Sequence, residues 1–168
     1  MKVSWKKIIV ILIVLIISIF GFLTWFKYTY SMGIAEPFEV NSPLLEQKIL
    51  IATQSSEFKD KVVDGLVERL KDRSIYLKVI DISSLPKIED DDFTAIVVLH
   101  NWELQKPPEV IEQFLKQSKN TEKIVVLATS GGSDTSMEGI EGISGESIIS
   151  EIPEKADQLM SKLEQLLK

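Results

Sequence analysis

Three short polar runs each follow an apolar stretch, and they hold most of the side chains capable of chemistry. The first reads Thr53-Gln54-Ser55-Ser56-Glu57. Hydroxyls beside free backbone N–H groups at a helix start form a cradle for phosphate or another anion. The same serines serve equally as ordinary caps, since every helix start leaves N–H groups to satisfy. The second run reads His100-Asn101-Trp102-Glu103-Leu104-Gln105-Lys106-Pro107-Pro108. Trp102, just past an apolar stretch, suits stacking on a planar ligand or packing as a lid on neighbouring loops. The third reads Thr129-Ser130-Gly131-Gly132-Ser133-Asp134. Its two glycines permit close backbone approach to a ligand, or simply a tight turn.

Several chemistries are excluded or unsupported. The chain has no cysteine, so disulfides, thiolate metal sites and thiol catalysis are absent. His100 is the sole histidine, which leaves no conventional zinc set. A Ser–His–Asp triad can be drawn through Ser130 and His100, but no Gly-x-Ser-x-Gly elbow supports a hydrolase. The acidic run Glu89-Asp90-Asp91-Asp92 lacks the alternating ligands and glycine of a calcium loop and reads as a solvated loop. A binding or electron-transfer module fits these residues better than an enzyme.

The elements that carry the three runs alternate. Lys48–Thr53, Ile75–Ile82, Thr94–Leu99 and Lys123–Ala128 are continuous apolar runs, the pattern of strands buried on both faces. Gly139–Ser144 is a short fifth strand candidate. Between and after them, Glu57–Lys71, Pro108–Lys116 and Pro153–Leu167 show the helical repeat; in the first, Phe58, Val62, Leu66 and Leu70 recur every four residues. Strands alternating with amphipathic helices predict a three-layer, doubly wound parallel sheet. In such folds ligands bind beyond the carboxyl ends of the strands, where the three polar runs lie.

The first residues are of another kind. From Ile8 to Phe26 no charged residue occurs, a length that matches the hydrocarbon core of a bilayer. Trp5, Trp25, Tyr28 and Tyr30 flank it as interfacial rings do. A cleaved signal peptide is the competing reading, with Gly33-Ile34-Ala35 as its small-residue site. Lys2, Lys6 and Lys7 precede the run, which predicts a cytoplasmic N-terminus and an extracytoplasmic domain on a single-pass anchor in the cell membrane. The chain therefore divides into a cytoplasmic start (1–7), a transmembrane helix (8–26), a Gly- and Pro-bearing linker (27–46) and one domain (47–168). Beyond Ala35 lie 15 basic and all 25 acidic residues, a net −10. Such a surface repels nucleic acid and suits a basic protein partner.

The three loops together resemble those of the flavodoxin family, over about Lys48 to Leu167. Flavodoxins follow the first strand with Thr/Ser-x-Thr/Ser-Gly-x-Thr. Thr53 and Ser55 match the first two hydroxyls, while Ser56 stands for the glycine and Phe58 for the last threonine. Asn101-Trp102-Glu103 with Pro107-Pro108 is similar to the family's tryptophan segment after the third strand. The usual helix between the fourth and fifth strands has no room between Ala128 and Gly139. The resemblance implies a shortened, membrane-anchored member with strand order 2-1-3-4-5 that binds FMN and transfers electrons. Thr53, Gln54, Ser55, Ser56 and Glu57 are then the phosphate side, Trp102 beside Asn101 stacks on the flavin, and Thr129, Ser130 and Gly131 cover its other side. The alternative is a cofactor-free flavodoxin-like module for protein interaction or sensing at the cell surface.

Overall fold

The computed structural model describes residues 4–30, 32–103, 106–129 and 141–168, the side chains of 26–30 and 141 excepted. It divides into two units, 1–32 and 33–168. The first is one helix, α1 (Trp5–Tyr30). Within it Trp5–Trp25 is long and apolar enough to cross a membrane, and none of those 21 residues is buried. A helix apolar on every side has no polar face to give to water, unlike a surface helix of a soluble domain.

The second unit is built on one sheet. Its strands are β1 (Gly33–Ile34), β2 (Phe38–Val40), β3 (Gln47–Ser55), β4 (Ile75–Asp81), β5 (Ala95–Asn101), β6 (Ile124–Thr129) and β7 (Glu141–Gly145). The order is β2-β4-β3-β5-β6-β7, with β1 paired to the end of β3. The five strands β4-β3-β5-β6-β7 run parallel in the expected 2-1-3-4-5 order. The connection therefore reverses between β3 and β5, and that switch point fixes where a ligand can enter.

Alternation along β3 feeds two cores. Ile49 and Ile51 face α2 (Glu57–Leu70) and α4 (Ile152–Leu166), where Val62, Leu66, Leu159 and Leu163 are fully buried. Leu50 and Ala52 face the other way, toward α3 (Glu109–Gln117) through Ile111 and Phe114, and toward Ile82 and Leu85 of a 3-10 turn. Helices α2 and α4 lie together, tied by Arg69–Asp157 at 2.6 Å and Arg73–Glu164 at 2.5 Å. Gly65 permits that approach, since a β-carbon there meets the Ala156 methyl at 3.4 Å and the Arg69 guanidinium at 3.1 Å.

Two features differ from expectation. Part of the segment 27–46, read as a linker, is paired into the sheet: Phe38–Val40 runs antiparallel to Val79–Leu77, and Gly33–Ile34 to Ser55–Gln54. Polar anchors hold it. Asp81 accepts the Ala35 N–H at 2.9 Å, and the Asn41 amide donates to the carbonyls of Lys71, Arg73 and Ile75. The acidic run is also more than a solvated loop, because Asp90 is buried. Its carboxylate accepts from Ser118 Oγ (2.8 Å) and the Lys119 N–H (3.2 Å), joining the β4–β5 connection to the end of α3.

Candidate functional site

The carboxyl ends of β3, β5 and β6 are stitched together by the residues that the three runs supply. Parallel register sets Asn101 opposite Thr129. The Gln54 Oε1 accepts the Asn101 N–H at 2.7 Å, bridging β3 to β5. The Thr129 hydroxyl donates toward the His100 carbonyl and Asn101 Oδ1, both at 3.3 Å, and its carbonyl accepts the Trp102 N–H at 2.9 Å. Gln54 and Thr129 are both buried, so these bonds form away from water. Thr53, Gln54, Asn101, Trp102 and Thr129 therefore converge on one edge. Ser130 and Gly131, together with Leu104 and Gln105, lie outside the described residues.

In the first loop every hydroxyl is engaged by the chain itself. Thr53 Oγ1 donates to the Gln54 carbonyl at 2.8 Å. Ser56 is the N-cap of α2, its Oγ accepting the Lys59 N–H at 3.3 Å. Ser55 Oγ donates to Asp60 Oδ2 at 2.9 Å. Glu57 pairs with Lys61 at 2.8 Å, and that hydrogen bond and charge hold its carboxyl below the usual range. Beside Ser55, a cleft of about 450 Å³ opens between the 34–38 segment and α2. Ala35, Val63 and Val79 line its apolar part, and Glu36, Asp60 and Asp64 its acidic part.

The second loop is built on two rings. His100 is fully buried, and its Nδ1 lies 3.0 Å from the Asn101 carbonyl. A carbonyl only accepts, so Nδ1 carries the hydrogen and Nε2 is a bare acceptor. Burial holds the imidazole pKa below its ordinary value, and the nearby Lys59 charge adds to the effect. Trp102 packs partly buried against the Ile96, Val98 and Phe114 core, its ring 5.7 Å from that of His100 and tilted by 60°. Among the described residues, His100 Nε2 and Trp102 Nε1 are the buried side-chain nitrogens that no partner satisfies. Lys59, in the first turn of α2, is fully buried too, and burial lowers its ammonium pKa to about 8 against the raising effect of Asp60.

These groups fit the two ends of an FMN molecule unequally. Trp102 Nε1 and His100 Nε2 are a buried donor and a buried acceptor without partners, the complement of a polar ring edge. The phosphate end fits poorly: the Thr53 and Ser55 hydroxyls donate within the chain, and the adjacent cleft carries three carboxylates and no basic side chain. Sequence reasoning passed over Lys59 and Asp60. Lys59 shares the inward stripe of α2 with Val63, Leu66 and Leu70, which is the signal that a lysine is buried there. Asp60 lies five residues beyond Ser55, a spacing with meaning only once the turn between them is known. Among the described residues no His, Asp and Glu group is placed to hold a metal ion.

No protein-family model matches the chain, and no curated protein sequence matches it. Solved structures do. A flavodoxin from the domain Archaea superposes with a TM-score of 0.52 at 14% identity, covering 73% of this chain and 100% of that one. The flavodiiron core of a Synechocystis protein superposes with a TM-score of 0.55 at 8% identity, covering 73% of this chain and 36% of that one. At such identities what is shared is the path of the backbone. The strand order, the two helical layers and these likenesses agree that the domain following α1 has the flavodoxin-like fold.

Proposed function

We propose that this chain is a membrane-anchored flavodoxin-like module that binds a flavin at the carboxyl ends of β5 and β6 for electron transfer. One observation carries the reading: the unsatisfied pair of His100 Nε2 and Trp102 Nε1, an acceptor beside a donor, at the fold's ligand edge. Leaving a buried polar group without a partner costs roughly 1–3 kcal/mol, so the pair calls for a ligand bearing both a donor and an acceptor. The imide edge of a flavin has a ring N–H between carbonyls and offers both. A bound flavin supplies the redox chemistry, and the chain supplies binding and exclusion of water. Gln54, Asn101 and Thr129 set the strand ends on which the two rings stand. The flavodoxin likeness supports this reading at the level of the fold. Helix α1 anchors the module, and Lys6 and Lys7, in its first turn, favour a cytoplasmic start with the domain outside.

The test is a fluorescence titration of the protein with riboflavin and with FMN. Quenching is expected for at least one of them. Trp102→Phe keeps the aromatic body but removes the N–H, and should weaken binding about fivefold to tenfold, the worth of one hydrogen bond of about 1 kcal/mol. Absence of quenching by either flavin at millimolar concentration removes the reading. The second reading, a cofactor-free module for protein interaction or sensing, then stands. It is favoured by the internal use of Thr53, Ser55 and Ser56, and its net −10 charge suits a basic partner.

A further inference from the structure

We infer that the Asp60 carboxylate, held by the Ser55 hydroxyl in the first turn of α2, makes the site select a flavin without a phosphate over FMN. The inference rests on the flavin reading and adds a specificity to it. A helix N-terminus attracts negative charge because its first N–H groups are unpaired and its dipole is positive there. In α2 part of that demand is met from within. Glu57 and Asp60 stand in the first turn. Asp60 Oδ2 accepts the Ser55 hydroxyl at 2.9 Å, and Ser56 Oγ takes the Lys59 N–H at 3.3 Å. Gly33 passes close to Ser55, since a β-carbon added there would come within 3.2 Å of the Ser55 Cβ.

Charge then decides between ligands. The phosphate of FMN brings about −1.5 to −2 at neutral pH. Asp60, Asp64 and Glu36 line the cleft beside Ser55 with no basic residue among its lining, while the Lys59 ammonium is buried on the inward side of α2. Riboflavin offers the same ring to His100 and Trp102 and carries no charge. Its hydroxylated chain carries no charge for the cleft carboxylates to repel. Asp60 is thus the residue that sets the preference, acting by repulsion and by occupying the Ser55 hydroxyl. Substrate rejection by a placed like charge is a general route to specificity.

The experiment titrates the full chain in neutral detergent with riboflavin and with FMN at low and high salt. Riboflavin is expected to bind at least tenfold more tightly at low salt, with the preference shrinking as salt screens the carboxylates. Asp60→Asn should tighten FMN at least tenfold and leave riboflavin within a factor of two or three. Asp64→Asn should act in the same direction, more weakly. FMN binding equal to or tighter than riboflavin in the unmodified protein overturns the inference and leaves the flavin reading intact. An Asp60→Asn variant whose riboflavin-to-FMN ratio is unchanged overturns the role of Asp60. Failure of both flavins to bind defeats the flavin reading itself, and this inference with it.

Discussion

Lys59 is the side chain whose surroundings depart furthest from what its type prefers. It is 0% exposed, and burial brings its pKa from 10.5 to about 8. The folded domain therefore binds fewer protons than the unfolded chain between those values, and stability rises with pH across that window. The shift corresponds to about 3 kcal/mol. Lys59→Met should flatten the dependence of unfolding free energy on pH between 8 and 10.5, measured by urea denaturation at fixed pH steps. An unchanged slope in the variant would place the titration elsewhere. His100 acts with the same sign at lower pH. Burial depresses its pKa, so its contribution is present above about 6.5 and declines as pH falls from there toward the lower folded value. Asp90 adds a dependence of the same sign at lower pH. Burial raises its pKa, but the bond from Ser118 and the charge of Lys123 outweigh that and hold it low. Its stabilisation survives until well below the His100 window. His100→Leu should accordingly remove the acid lability that sets in as pH falls below about 6.5, while leaving the loss carried by Asp90 at lower pH.

At the scale of elements, the short strands depend on side chains more than on their own pairing. Asn41 ends β2 with a positive φ of 68°, a conformation that Asn tolerates better than most residues. Its amide donates to Lys71, Arg73 and Ile75 carbonyls at 3.0, 3.2 and 2.8 Å, satisfying the turn that joins α2 to β4. Asn41→Ala removes these bonds and adds backbone strain, and should destabilise the domain by about 1–3 kcal/mol in thermal unfolding. Asn41→Gly relieves the strain and should lose less; a larger loss for Gly than for Ala would refute the account. The contrast with the longer elements explains what the sequence discloses. Strands β3 to β6 and helices α2, α3 and α4 were legible within a residue or two, because each is a local apolar run or a 3.6-residue repeat. Strands of two and three residues contain no period, and Pro37 and Asn41 around β2 read as linker. The site was legible in part for the same reason. That Thr53, Trp102 and Thr129 share an edge follows from topology. The Gln54–Asn101 and Asp90–Ser118 bonds join residues 47 and 28 apart, and no local pattern announces them.

For the molecule as a whole, the charge at the start of the chain makes a claim about sidedness. A reporter fused after Lys168 should be active only outside the cytoplasm if the Lys2, Lys6 and Lys7 cluster sets the orientation. Activity in the cytoplasm reverses both orientation and placement. Where the folded domain begins is a separate claim, and two truncations decide it. A chain from Gly33 keeps β1 and β2, whereas one from Asn41 discards them but keeps every parallel strand and helix of the domain. Ala35, 5% exposed, donates its N–H to the Asp81 carboxylate, whose other oxygen holds the Ser83 N–H. Burial, together with the side-chain bond and charge of Glu39, raises the Tyr76 hydroxyl to about 12. Glu39 also lies 3.9 Å from Lys78. Removing residues 33–40 strips these partners and bares the edge of β4 along Leu77 to Val79. An uncovered strand edge invites pairing between copies. The longer chain should be monomeric and unfold in one cooperative transition. The shorter should lose about 2–4 kcal/mol, a fall in Tm of roughly 10 °C, and associate as concentration rises. Light scattering and thermal unfolding of the pair measure both effects. Equal midpoints with no association would mean that residues 33–40 lie on the domain without supporting it.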